Sequence, residues 1–246
     1  MRPFYHRIDP MKAFFVTGTD TGVGKTVVTS AIAAYCSLRK HLDVGVMKPF
    51  ESGLPVRAGD LSRGDALLLK EASGSPDALS VIRPYAFEAP LAPEAASERA
   101  HVEIDIAVVD AVYRRLAQSH HVLLVEGAGG ILVPIRRDFF FIDLVKGWKI
   151  PVVVVSRLGL GTINHTLLTC RYLLHEGVAV AGVVLNDTDG KADQAKGHNA
   201  EMLSRYLDAP LLGVFPHHGG MAGAHPDREL LARLAGQYLD MKPFFA

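Results

Sequence analysis

Residues Gly18–Thr26 read Gly-Thr-Asp-Thr-Gly-Val-Gly-Lys-Thr and follow directly on the apolar run Ala13-Phe14-Phe15-Val16. A glycine loop between a buried strand and a helix constrains the fold strongly, because strand and helix must hold the loop N–H groups toward one point. The residue types suit a nucleoside triphosphate, ATP or GTP. Glycines such as Gly22 and Gly24 let backbone N–H groups face phosphate oxygens, Lys25 reaches the β and γ oxygens, and the Thr26 hydroxyl can ligate Mg²⁺. The run Val27–Leu38 supplies a helix whose positive end points at the same anion. Gly18 lies six positions before Gly24, so the strict spacing puts Thr19, not glycine, at the first motif position. A plain Gly-rich turn packing a Rossmann-like sheet is the competing reading, and strand, Gly-Lys-Thr and helix together argue against it.

At 246 residues, 49% of them apolar, the chain buries one substantial core, and a single domain over residues 11–246 is expected. Lys plus Arg and Asp plus Glu both number 26. A net charge of zero gives no support to nucleic acid or an anionic membrane as partner, and points to a small molecule. Arg136-Arg137 reads as solvated or phosphate-facing. Cys36 and Cys170 fall in apolar helical patterns, which suits buried free thiols in a reducing cytoplasm better than a disulfide or metal site. The longest apolar runs, Pro151–Val155 and Val178–Leu185, fall short of the ~18–20 residues that span a bilayer, and no signal-peptide pattern opens the chain. Met1–Pro10 carries no periodicity and is read as an upstream start or disordered leader.

Short β-rich runs alternate with amphipathic stretches, which predicts an α/β fold: a doubly wound, mostly parallel sheet with helices on both faces. The expected core strands are Ala13–Val16, Val44–Met47, Val122–Val125, Val152–Val155, Ala179–Leu185 and Leu211–Val214, each apolar enough for burial on both faces. Helices are expected over Gly24–Arg39, Asp65–Ala72, Ile104–Ser119, Thr162–His175, Asp193–Tyr206 and Pro226–Leu239. Arg83–Ala100, rich in Pro, Ala and Glu, reads as an irregular surface excursion.

In open parallel sheets ligands sit beyond the carboxyl ends of strands, so the residues after each strand carry the candidate chemistry. Lys48 leads Lys48-Pro49-Phe50-Glu51-Ser52-Gly53, and a lone ammonium at a buried strand end needs an anion beside it. Glu126 leads Glu126-Gly127-Ala128-Gly129-Gly130, where a carboxylate opposite a phosphate loop ligates Mg²⁺ or orients water. Asp65 opens a helix after Arg63-Gly64; it is either a further Mg²⁺ ligand or simply a charge at a helix N-terminus. Asn186-Asp187 and Pro216-His217-His218 follow later strands, and either segment suits an adenine edge, with an Asx turn as the alternative for the first. The histidines lack Cys or carboxylate partners at zinc-ligand spacing. Gly161-Thr162-Ile163-Asn164 precedes a helix, whose exposed N–H groups suit a carboxylate or ordinary capping.

Together the loop Gly-Thr-Asp-Thr-Gly-Val-Gly-Lys-Thr, Lys-Pro-Phe-Glu-Ser-Gly, Arg-Gly-Asp-Ala, Val-Glu-Gly-Ala-Gly-Gly and Gly-Thr-Ile-Asn-His resemble the dethiobiotin synthetase family, in order and at family spacing, from about Met11 to the last strand. That family belongs to the P-loop ATPases, with the nitrogenase iron protein and partition ATPases. The resemblance implies a homodimer with active sites at the subunit boundary. It also implies closure of the ureido ring of dethiobiotin, in biotin biosynthesis, from 7,8-diaminononanoate, CO₂ and ATP. Residue by residue, Gly22, Val23, Gly24, Lys25, Thr26 and Val27 would cradle the phosphates, and Thr26, Asp65 and Glu126 would arrange Mg²⁺. Lys25 and Lys48 would flank the transferred phosphoryl group, and Thr21 and Ser52 would hold the diamine or its carbamate. Gly127, Ala128 and Gly129 would lie along the nucleotide. Asn186 and Asp187, with Pro216, His217 and His218, would meet adenine, while Gly161, Thr162, Ile163 and Asn164 of the partner subunit would bind the far carboxylate. Gly22 stands where the family often has an acidic residue, and the leader and His217-His218 have no clear family counterpart.

The implied chemistry begins with CO₂ adding to one amine to give a carbamate, whose oxygen attacks the γ-phosphorus. The second amine then attacks the mixed-anhydride carbonyl and expels phosphate. On this reading Lys48→Ala lowers turnover with modest effect on folding. A partition-type switch ATPase is the first alternative, but Gly18-Thr19-Asp20-Thr21 lacks the lysine such loops carry near their start. A corrinoid-pathway amidating ligase is the second, and it would need a glutaminase domain beyond Ala246.

Overall fold

The computed structural model describes residues 12–54, 64–218 and 227–245. The leader expected over Met1–Pro10 and the helix start expected at Pro226 lie outside them. Six parallel strands form the central sheet in the order β10-β9-β8-β1-β5-β2, with β1 (Lys12–Gly18), β2 (Val44–Met47), β5 (Val122–Gly130), β8 (Val152–Arg157), β9 (Val180–Asn186) and β10 (Leu211–Phe215). Every expected strand is present. Side chains alternate between the two faces, as the period of a strand requires. Phe15, Leu123, Val125, Val152 and Val154 enter one core, whereas Phe14, Val16, Leu124, Val153 and Val155 enter the other.

Helices cover both faces. α1 (Lys25–Lys40), α2 (Asp65–Ser73) and α9 (Arg228–Tyr238) pack on the core that holds Phe14, and α5 (Ile106–Ser119), α6 (Phe141–Trp148), α7 (Thr162–His175) and α8 (Gln194–Tyr206) lie against the core that holds Phe15. Several helix starts come slightly later than the periodicity suggested because a carboxylate caps them. Asp105 accepts from Ala107 N–H at 2.8 Å, Asp193 from Ala195 N–H at 2.9 Å and Asp227 from Leu230 N–H at 3.0 Å, each satisfying a donor without an intrahelical partner.

Arg83–Ala100 is more regular than expected. After the short helix α3 (Leu79–Ile82), β4 (Tyr85–Ala86) pairs in parallel with β3 (Phe50–Glu51), and α4 (Pro93–Ala100) follows. Tyr85 stacks on Phe50 with ring centroids 5.6 Å apart, Phe87 and Ala96 are buried, and Pro93 supplies the fixed φ that suits a first helical turn. β6 (Pro134–Arg136) and β7 (Phe139–Phe140) form an antiparallel ribbon before α6. Cys36 and Cys170 are free and buried, and burial pushes both thiols up to about 12. Among the described residues no helix is long and apolar enough to cross a membrane.

At the amino end of β2, the buried His120 ring stands between Asp43 (Nδ1 to Oδ1, 2.9 Å) and Asp77 (Nε2 to Oδ2, 2.8 Å). The ring packs against Gly45, where an added Cβ would come within 2.8 Å of its Cγ. Gly45→Ala is expected to lower stability by about 1–3 kcal/mol through overpacking and to leave turnover unchanged, as read from urea midpoints alongside activity.

Candidate active site

The phosphate loop leaves β1 at the middle of the sheet, between β5 and β8, the place where open α/β sheets bind ligands. Gly22 (φ 72°) and Gly24 (φ 83°) take left-handed conformations that glycine adopts at little cost. Gly24 is also the residue before α1, and a Cβ there would collide with Asn186 Nδ2. Asn186, the last residue of β9, donates Nδ2–H to Val23 O at 2.9 Å. From β8, the Ser156 hydroxyl lies 3.0 Å from Thr19 Oγ1, and Arg157 pairs with Asp20 at 2.6 Å. Strands on one side of β1 therefore brace the loop from outside. Lys25 Nζ reaches back to Asp20 O at 3.4 Å.

Lys48 and Glu126 stand one residue past β2 and well along β5, and are 3% and 0% exposed. Lys48 Nζ donates to Glu126 Oε1 at 2.7 Å and to Gly127 O at 3.1 Å, and lies 3.0 Å from Asp65 Oδ2. The Thr26 hydroxyl donates to the same Glu126 oxygen at 2.8 Å and helps to lower the Asp65 pKa. Thr26, Lys48, Asp65 and Glu126 thus meet at one point beside the loop, although they come from four separate segments. The anion needed beside Lys48 is a pair of carboxylates. Burial alone would lower the Lys48 pKa, but Glu126 and Asp65 outweigh it and the net shift is upward. Asp65 is pulled down by Lys48, Thr26 and Lys25 in spite of burial. Lys25 is lowered, first by burial and then by the Lys48 ammonium. The modest effect on folding expected for Lys48→Ala has to be weighed against this burial, because removal would leave the carboxylates uncompensated.

Glu126 Oε2 is buried and has no hydrogen-bond partner. A fully buried carboxylate oxygen without a donor is costly, and a cation at that oxygen would satisfy it. Among the described residues no group of three or more His, Cys, Asp or Glu is arranged to hold a metal. Two carboxylates and a hydroxyl suit Mg²⁺ carried on phosphates, which needs only one or two protein carboxylates.

Gly127, Ala128 and Gly129 continue β5 beside the loop, and a Cβ on Gly129 would lie 3.7 Å from Thr21 Oγ1. Thr21 is exposed and Val27 and Ser52 are half-buried. The carboxylate of Asp187 accepts from Asp189 N–H at 3.4 Å, Gly190 N–H at 3.1 Å and Lys196 Nζ at 2.7 Å, the arrangement of an Asx turn. Pro216, His217 and His218 follow β10, with the His217 ring packed against Gly190. Gly161 (φ 91°) precedes α7, Asn164 is exposed, Ile163 is half-buried, and the Thr162 side chain turns inward. Its hydroxyl joins Ser156 at 2.8 Å and Thr166 at 3.3 Å, so only its backbone is available outward. Glu51, Arg83, Ser156 and Arg157 also border the site without being announced by the sequence. Their roles rest on contacts between distant segments that no local spacing announces.

A parallel sheet with a strand, glycine loop and helix at its centre, and lysines, carboxylates and a threonine hydroxyl gathered beside that loop, defines a P-loop nucleoside triphosphate-binding protein. The family model described as "AAA domain" matches residues 12–224. The chain is 41% identical to the ATP-dependent dethiobiotin synthetase of Bacillus licheniformis over 206 residues, covering 84% of this chain and 86% of that protein. It is 42% identical to that of Anaeromyxobacter dehalogenans over 232 residues, covering 94% and 99%. The chain belongs to the ATP-dependent dethiobiotin synthetase family. Among solved structures, a ParA family ATPase from Chlorobium tepidum is similar in fold, with a TM-score of 0.51 at 13% identity over 92% of each chain.

Proposed function

We propose that this chain makes dethiobiotin from 7,8-diaminononanoate, CO₂ and ATP, releasing ADP and phosphate as a step of biotin biosynthesis. The observation that carries the reading is the convergence of Lys48, Glu126, Asp65 and Thr26 beside the phosphate loop. Phosphoryl transfer asks mainly for in-line positioning and neutralised oxygens. Lys25 and Lys48 supply fixed positive charge on either side of the transferred group, and the loop N–H groups orient it. Thr26, Asp65 and Glu126 are the residues that would hold Mg²⁺, which when bound supplies further charge neutralisation at the phosphates. Thr21 and Ser52 would hold the diamine or its carbamate, and Asn186 with Pro216–His218 would meet the adenine.

The reading includes a homodimer in the cytoplasm, with the partner subunit's Gly161–Asn164 closing on the substrate carboxylate. The high exposure of Leu160 (85%) and Leu168 (61%) beside that segment supports it. The lowered pKa of Lys25 has a measurable consequence. At alkaline pH more of it is neutral than of an ordinary lysine, and a bound triphosphate favours the ammonium. ATP binding is therefore expected to take up protons increasingly as pH rises above neutral, as read by calorimetry in buffers of different ionisation enthalpy. Lys25→Met should abolish this uptake.

The test of function is mass-spectrometric turnover with 7,8-diaminononanoate, bicarbonate, Mg²⁺ and ATP, omitting each in turn. Dethiobiotin formed only in the full mixture, with ADP in equal amount, is the expected result. ATP hydrolysis without dethiobiotin would move the chain to the switch-ATPase class.

A further inference from the structure

We propose that Glu51 is a positioning residue that sets Asp65 at the nucleotide site and thereby fixes the site's affinity for Mg²⁺; this rests on the reading of Thr26, Asp65 and Glu126 as the metal-holding residues. Glu51 ends the two-residue strand β3 and is 4% exposed. Its Oε1 accepts the Asp65 N–H, and its Oε2 lies 3.4 Å from the Ala66 N–H and accepts from Arg83 Nη1 at 2.7 Å. The first N–H groups of a helix have no partner within it, and here the donors of α2 are satisfied by one buried carboxylate. The backbone is shaped for it. Gly64 sits at φ 112°, and a Cβ there would collide with Glu51 Oε1.

Glu51 therefore grips the main chain of Asp65, while the Asp65 side chain faces Lys48 and Thr26. Glu51 itself makes no contact with Lys25, Lys48 or the loop among its hydrogen bonds. Burial and the nearby Asp65 charge disfavour its ionised form, and Arg83 and, without a bond, the Lys48 charge partly offset them. The ion pair with Arg83 and the α2 end form one unit, so loosening Glu51 lets the first turn of α2 drift and moves Asp65 off the metal without altering the phosphate loop.

The experiment is calorimetric binding of a non-hydrolysable ATP analogue, with and without Mg²⁺, to full-length wild type, Glu51→Gln and Glu51→Asp. In wild type Mg²⁺ should strengthen binding. In Glu51→Gln the Mg²⁺-free affinity should be unchanged, while the free Mg²⁺ needed for half of the strengthening rises about 10-fold or more, as for outer-shell supports of metal sites. Glu51→Asp keeps the charge opposite Arg83 but is one methylene shorter, and should fall between the two; it alone decides the matter if the Gln variant does not fold. Variants that keep the wild-type Mg²⁺ dependence, or that lose Mg²⁺-free and Mg²⁺-bound affinity in equal proportion, would overturn the positioning role. A wild type whose affinity ignores Mg²⁺ would instead remove the metal reading, and this inference with it.

Discussion

Lys48→Ala is expected to lower turnover at saturating substrate by ~10²–10³-fold, the cost typical of removing one preorganised donor from developing charge. Stability should fall as well, by about 3–5 kcal/mol, because breaking a buried ion pair on one side leaves the other charge uncompensated. Glu126 and Asp65 both face the Lys48 ammonium, so the truncated enzyme would hold two carboxylates together without the cation that pairs them. Steady-state rates and urea midpoints on the same preparations separate these effects. Lys48→Met combined with Glu126→Gln should recover most of the stability and none of the rate. A Lys48→Ala enzyme with an unchanged rate would remove the lysine from the chemistry.

Gly24→Ala is expected to lower kcat/KM by about 10²-fold, the scale set by small misplacements of reacting groups, with about 1–3 kcal/mol of stability lost to backbone strain. Two causes act together. The left-handed φ of 83° disfavours any side chain, and the new methyl would strike Asn186 Nδ2. Adding Asn186→Ala clears the collision but not the strain, so the double variant should regain part of the stability. Its nucleotide affinity should stay low, since Val23 has lost its brace. Full recovery would mean that the φ constraint is slight.

The sheet was legible because strands buried on both faces carry uninterrupted apolar runs, as Val152–Val155 does. The apolar pattern of β5 ends at Val125, whereas the strand continues to Gly130, because glycines carry no side-chain pattern. α6 is not legible in the sequence for a different reason. Phe139–Ile142 is apolar at four successive positions with no helical period, and the helix start is secured by Asp143 accepting the Phe140 N–H at 2.7 Å, not by a Ser or Thr ahead of it. In the site, Lys48, Asp65 and Glu126 were legible because each follows or extends a strand or opens a helix at the ligand edge. Glu51 was within a quoted motif yet had no assigned role, since its partners lie at 65, 66 and 83. The Thr19–Ser156 contact joins positions 137 residues apart.

The Asn186 brace bears on which base this enzyme accepts. With one Nδ2–H given to Val23, the amide keeps its oxygen and a second N–H for a purine in the base-reading role proposed for it. An oxygen receives the exocyclic amino group of adenine and is repelled by the keto oxygen at the same position in guanine. One side chain would then hold the loop in shape for the triphosphate through one of its two N–H groups and meet the base with its oxygen.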